Sequence, residues 1–230
     1  RNPASPSIID GMRFLVEGGR PLRGTIRPSG NKNAALPIVA ATLLTEHPVM
    51  LTNVPRIRDI EILVELIATT GAEARWTGPS ELLVHARSVS ARALDLEMCK
   101  KIRGSILLAA PLLARCGEVT LSPPGGDVIG RRRLDTHFLA LEQLGANHVL
   151  SDVITFRTRA LTGADVFLDE PSVTGTENAV MAAVAASGTT ILRNAASEPH
   201  VQDLCEFLVA LGARIEGIGT NTVTIHGGAT

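Results

Sequence analysis

The chain has 230 residues, 45% of them hydrophobic and 20% charged, with a formal net charge of −1. That is enough apolar material for one large domain or two small ones, and the near-neutral balance excludes a broad electrostatic footprint for nucleic acid or an anionic membrane. Aromatic residues make up 3%, with one tryptophan and no tyrosine, too few for base-stacking platforms.

The opening residues, RNPASPSIIDG at 1–11, read as a disordered tail ahead of Met12. No charged-then-apolar leader pattern precedes the first structured segment. The longest apolar runs, ILLAAPLLA at 106–114 and AVMAAVAA at 179–186, fall short of the roughly 18 residues that a membrane span needs. Cys99, Cys116 and Cys205 are scattered and lack metal-ligand spacing. They read as reduced, mostly buried thiols of a cytoplasmic protein.

Three segments of the chain look alike: 47–86, 117–158 and 188–227. Each has a short β-branched run, a turn rich in Pro or Gly, an amphipathic helix that stops at Gly-Ala, and two further strand-like runs. The stops fall at Gly71, Gly145 and Gly212, where a glycine suits a left-handed helix end. In the third copy the helical apolar stripe is Leu204, Phe207, Leu208 and Leu211, and TVTIHG at 222–227 alternates as a half-buried strand does. An Ala-rich helix that is apolar on all sides precedes each segment, at 32–44, 101–115 and 176–187. Such helices belong inside a domain. The pattern predicts three units, each an inner helix, strand, outer helix, strand and strand, closed around a pseudo-threefold axis.

Three equivalent helix starts should then face one end of the domain. RPSGNKNAALP at 27–37 places Lys32 and Asn33 at the first of them, where free N–H groups and the helix dipole favour an anion. Arg103 stands at the second. SVTGTEN at 172–178 opens the third, where the plainer reading is a Ser172 cap with Glu177 as a first-turn acid. The loop SPPGGDVIGRRRLD at 122–135 adds an acid, Asp127, and a cluster of arginines. Together these predict an anion site formed by Lys32, Arg103, Ser172 and the loop.

SGNKNAALP, RGSILLAAPLLAR, PPGGDVIGRRRLDTHFLALEQLGA, SVTGTENAVMAA and GTTILRNAASEPHVQDL resemble the UDP-N-acetylglucosamine enolpyruvyl transferase family, from about Phe14 to the last residue. The resemblance implies an α/β fold shared with EPSP synthases, an inverse α/β barrel-like domain of three βαβαββ repeats around the inner helices. It implies that 33–230 form a substrate-binding domain, that 12–32 are a strand segment of a second domain, and that the active site lies between the two. The implied reaction moves the enolpyruvyl group of phosphoenolpyruvate to the 3-hydroxyl of UDP-N-acetylglucosamine by addition and elimination, releasing phosphate, with no cofactor or metal. A half-enzyme of this kind is expected to be inactive alone. The alternatives are a UDP-sugar-binding module without turnover and an enolpyruvyl transferase with another acceptor.

The resemblance also assigns residues. It places Lys32, Arg103 and Arg132 on phosphoenolpyruvate and phosphate, with Arg132 as a lid arginine. It places Asn33 on the amino sugar. Arg132, Arg133, Leu134 and Asp135 fall on the uridine, Ser172, Val173 and Thr174 on the diphosphate, and His137 near the substrate. Many members have Pro where Arg133 stands, and most have a cysteine where Asp127 stands. Asp127 is expected to act as the proton donor in place of that thiol. A carboxyl group titrates near about 3.9 and a thiol near about 8.5, so the environment must hold Asp127 protonated for that role. The antibiotic fosfomycin alkylates the family's lid thiol, so a carboxylate in its place implies resistance.

Overall fold

The computed structural model describes residues 15–19, 21–125 and 133–228. The first unit consists of α1 (Lys32–Ala41), β1 (Val49–Leu51), α2 (Arg58–Thr69), β2 (Glu73–Gly78) and β3 (Glu81–His85). The second comprises α3 (Leu96–Cys99), α4 (Ala109–Cys116), β4 (Glu118–Leu121), α5 (Asp135–Gln143), β5 (Asn147–Leu150) and β6 (Ile154–Arg157). The third runs through β7 (Asp165–Phe167), α6 (Val173–Ala185), β8 (Thr189–Arg193), α7 (Pro199–Ala210), β9 (Arg214–Glu216) and β10 (Thr222–His226).

The expected repeat is present in the strand pairing. Each unit's sheet places its last strand in the middle, in the orders β1–β3–β2, β4–β6–β5 and β7–β8–β10–β9. The buried pairs Leu51–Leu82, Leu121–Ile154 and Leu192–Val223 occupy the inner face of the three sheets. That register follows from the period-2 alternation of each strand, because a slip of one residue would turn these side chains to solvent.

The leading strand of the implied βαβαββ unit is described only in the third unit, where β7 pairs parallel to β8. Residues 21–31, ahead of α1, carry no strand and leave Leu22 and Ile26 exposed. A strand needs a partner for its backbone hydrogen bonds, and no described neighbour offers one. Ahead of the second inner helix stand a short 3-10 turn at Ala91–Ala93 and α3 instead.

α1, α4 and α6 are the inner helices. Ten consecutive residues of α6, Gly175 to Val184, are buried, and α1 and α4 are buried along most of their length. The outer helices bury one stripe each. In α7 that stripe is Val201, Leu204, Cys205 and Leu208, whereas Phe207 is half-buried and Leu211, the helix C-cap, is exposed. Outer helices bridge units: α2 packs on α1 and on the start of the second inner helix, α5 packs on α6, and α7 packs on α1, so the last unit closes on the first. Arg115, at the end of α4, ties the opposite ends together through Leu43 O (2.9 Å) and Ala86 O (3.2 Å).

The second inner helix departs from the continuous helix expected over 101–115. Residues Arg103–Leu108 form a 3-10 turn before α4 begins. The cause is a side chain from another unit. In a continuous α-helix the Ala110 N–H would donate to Ile106 O. Here the Asn178 amide stands between them, accepting from Ala110 N at 3.1 Å and donating to Ile106 O at 3.0 Å. A side chain inserted into the i→i−4 ladder breaks a helix in this way. Ser105 tightens the same turn by donating to Cys99 O and Ile102 O, both at 2.9 Å.

The repeated helix-stop glycines all adopt left-handed backbone, with φ of +97° at Gly71, +94° at Gly145 and +108° at Gly212. Nothing stands within 4 Å of a Cβ built on Gly212, whereas one on Gly145 meets Ala160 O at 3.2 Å. Gly212→Ala should therefore cost about 1–2 kcal/mol, the penalty of left-handed backbone alone. Gly145→Ala should cost more, because a backbone carbonyl must also shift. Urea unfolding of both variants checks the order; equal, negligible losses would contradict it.

Candidate functional site

A cleft of about 490 Å³ opens where the three inner helices start. Its walls bring together Lys32 and Asn33 from α1, Arg103 and Gly104 from the second inner helix, Ser172, Val173 and Thr174 from α6, and Arg133. The local sequence sets each start. Asn31 caps α1 by accepting from Ala34 N at 3.0 Å, and Ser172 caps α6 by accepting from Gly175 N at 3.2 Å. Gly30 passes so close to the carbonyl of Asn53 that any Cβ there would collide with it. That close approach fixes where α1 begins and so where Lys32 stands. The first N–H groups of a helix have no intrahelical acceptor, and those of α1 and α6 that the caps do not take remain available at the cleft.

The cations are held by acids and carbonyls, and two acids, Asp59 and Glu170, line the same cleft. Lys32 Nζ pairs with Asp59 Oδ2 at 3.0 Å, both side chains partly exposed. Arg103 donates to the carbonyl of Arg133 at 3.4 Å. Arg133 pairs with Asp135, which holds its guanidinium charged above the ordinary arginine range, and reaches Asp169 at 3.7 Å. These exposed pairs orient side chains more than they stabilise the fold.

Of the residues expected at the site, Lys32, Asn33, Arg103, Arg133, Ser172, Val173 and Thr174 line one cleft. Asp135 faces an adjacent hollow with Phe138, Leu139 and Asp169, and Leu134 is partly buried just before α5. His137 lies one side chain behind the cleft, 1% exposed, and meets it through Thr174. Asp127 and Arg132 lie outside the described residues. Burial, and then the nearby Arg103 charge, push the His137 pKa down to about 4. Its ring is neutral in the physiological range.

Glu177 departs from its plainer reading as a first-turn acid, because α6 begins at Val173 and places it in the second turn. It lines the cleft, is 1% exposed, and its Oε1 has no hydrogen-bond partner. Burial first, and the charge of Glu198 second, raise its pKa to about 9. Glu177 is therefore a neutral acid and does not cancel the cations beside it. The sequence signal was the polar pair Glu177–Asn178 inside an otherwise apolar helix, since buried polar groups need partners. Asp59 carried no such signal: an acid near the start of an amphipathic helix is ordinary. Cys99 and Cys205 are buried as expected, with burial raising their thiols to about 11 and about 12, and Cys116 is half-buried.

These shifts set the pH dependence of stability. Glu177 binds its proton more tightly in the native state, so its contribution falls as pH rises from the carboxyl range towards about 9. His137 binds its proton less tightly, so its contribution is lost as pH falls from 6.5 towards about 4. The unfolded thiols titrate only near about 8.5. Between about pH 6.5 and 8, Glu177 acts alone among these groups. Melting temperatures of the wild type should decline across that window, and Glu177→Gln should flatten the decline. Parallel curves would show that Glu177 ionises as readily folded as unfolded.

The comparisons with known proteins agree with this architecture. A protein of Bradyrhizobium diazoefficiens called UDP-N-acetylglucosamine 1-carboxyvinyltransferase is 70% identical over 219 residues, 95% of this chain and 51% of that protein. A protein of the same name from Treponema pallidum is 54% identical over 93% of this chain and 50% of its own length. The chain thus spans about half the length of these curated relatives. Among solved structures, the enolpyruvyl transferase NikO from Streptomyces tendae superposes with a TM-score of 0.79 at 26% identity, covering 91% of this chain and 50% of that one. An EPSP synthase from Acinetobacter baumannii shares the fold, with a TM-score of 0.70 at 18% identity over 89% of this chain and 47% of its own. The profile of EPSP synthase (3-phosphoshikimate 1-carboxyvinyltransferase) matches residues 16–230, and the chain belongs to that family.

Proposed function

We propose that the chain is the nucleotide-sugar-binding half of an enolpyruvyl transferase that moves the enolpyruvyl group of phosphoenolpyruvate to the 3-hydroxyl of UDP-N-acetylglucosamine and releases phosphate. The supporting observation is the convergence of three helix starts with Lys32, Arg103 and Arg133 on one cleft. Both substrates are polyanions. Free N–H groups, helix dipoles and guanidinium groups bind anionic oxygens more strongly together than any of them does alone. The relative from Bradyrhizobium diazoefficiens supports the acceptor by its name and its 70% identity.

In this reading Lys32 and Arg103 hold phosphoenolpyruvate and the departing phosphate. Asn33 contacts the amino sugar. Ser172, Val173 and Thr174 hold the diphosphate at the start of α6. Arg133, Leu134 and Asp135 take the uridine end, towards the hollow beside Phe138. Arg132 and Asp127 keep the roles of anion ligand and proton donor. Residues 15–19 and 21–31, without helix or strand and with exposed Leu15, Val16, Leu22 and Ile26, fit a strand segment that pairs within a second domain. Turnover then requires that domain, and this chain by itself binds without reacting.

Isothermal titration of the chain with UDP-N-acetylglucosamine, with UDP-glucose as control, tests the reading. Selective binding is expected, weakened about tenfold or more by Arg133→Ala, which removes charge-assisted hydrogen bonds at the nucleotide end. Equal binding of both sugars would contradict the acceptor. In a two-domain enzyme carrying this half, Asp127→Ala should reduce phosphate release by about 100-fold or more, the scale of general acid catalysis. Near-normal turnover would remove Asp127 from the reaction.

A further inference from the structure

The hydrogen bonds behind the cleft admit one arrangement of protons. The side-chain amide of Asn178 accepts from Ala110 N and donates to Ile106 O. A backbone N–H only donates and a backbone C=O only accepts, so these two partners fix which end of the amide is nitrogen. The same nitrogen lies 2.9 Å from His137 Nδ1. A donor at that position makes Nδ1 an acceptor. The ring is neutral, since burial and Arg103 hold its pKa near about 4, and its single proton must sit on Nε2. Nε2 lies 3.1 Å from Thr174 Oγ1. The threonine oxygen therefore accepts from the histidine. Its own hydrogen has no acceptor among the described residues, and Thr174 lines the cleft beside Ser172 and Val173.

A freely rotating hydroxyl offers an anion a lone pair as readily as a hydrogen. An anionic oxygen accepts only donors. A buried, uncharged histidine that occupies one lone pair of the threonine removes that ambiguity without adding a charge to the wall. We infer that His137 and Asn178 are positioning residues that hold the Thr174 hydroxyl as a hydrogen-bond donor into the cleft, where it meets an anionic oxygen of the bound nucleotide sugar. The inference rests on the cleft being the nucleotide-sugar site proposed above. It gives Asn178 two tasks at once: breaking the second inner helix and setting the tautomer of His137.

Two measurements on the 230-residue chain test it. Nitrogen-15 NMR of the imidazole, assigned with a His137→Gln variant, should show Nε2 protonated and Nδ1 bare, with no titration between about pH 5 and 8. A ring protonated on Nδ1, or one titrating in that range, would overturn the inference whether or not ligand binds. In titrations with UDP-N-acetylglucosamine, Thr174→Val should weaken binding about tenfold and Thr174→Ser by no more than about twofold, the scale of one hydrogen bond to a charged group. His137→Ala should weaken binding in the wild type and add nothing in the Thr174→Val background. Additive losses, or equal affinity of wild type and Thr174→Val, would overturn it. Absence of binding by a wild-type chain with the expected tautomer would instead count against the cleft as the nucleotide-sugar site.

Discussion

A helix buried on every side meets solvent only at its ends. That constraint governs the rest of this structure. α1, α4 and α6 carry small and branched apolar residues around their whole circumference, so they can be stable only when wrapped by sheets and outer helices. Once wrapped, α1 and α6 contribute to the surface little more than their starts, and the second inner helix reaches it through the 3-10 turn Arg103–Leu108 that precedes α4. The repeat places three such starts at one end. The cleft is therefore a consequence of how the core is buried, and a few polar residues at each helix start suffice to make it an anion site.

Electrostatics refine that site. Three cations line the cleft beside Asp59 and Glu170, and Asp59 and Asp135 pair with two of the cations. The two most buried titratable groups nearby, His137 and Glu177, are both pushed towards their uncharged forms by burial. Neither adds a charge to the wall. They act as neutral hydrogen-bonding groups in a region of low dielectric, where such groups are worth more than in water. The cleft thus combines partly exposed, paired charges at its rim with a buried, neutral hydrogen-bonded network behind its wall.

Much of this was legible in the sequence. The three Gly-Ala stops, the all-apolar helices and the alternating last strands announce three like units, because each is a local requirement of a single element. The grouping of Lys32, Arg103, Ser172 and Arg133 follows from the repeat itself. Features that depend on distant partners were not legible. The break in the second inner helix arises from Asn178, 68 residues beyond Ala110. The burial of Glu177 depends on α6 being enclosed from Gly175 onward. The exposure of Leu211 reflects its place at the helix cap, beyond the buried stripe of Val201, Leu204, Cys205 and Leu208. The missing leading strands reflect partners that the described residues do not supply.

The central claim is that the ends of the buried inner helices form the substrate site. Mapping amide chemical shifts of the 230-residue chain during titration with UDP-N-acetylglucosamine and phosphoenolpyruvate together tests it most directly. The account predicts saturable shifts concentrated at Lys32, Asn33, Arg103, Arg133 and Ser172 to Thr174, the first turns of three helices far apart in sequence. Saturable shifts confined to another face of the domain, or to one helix start alone, would contradict it.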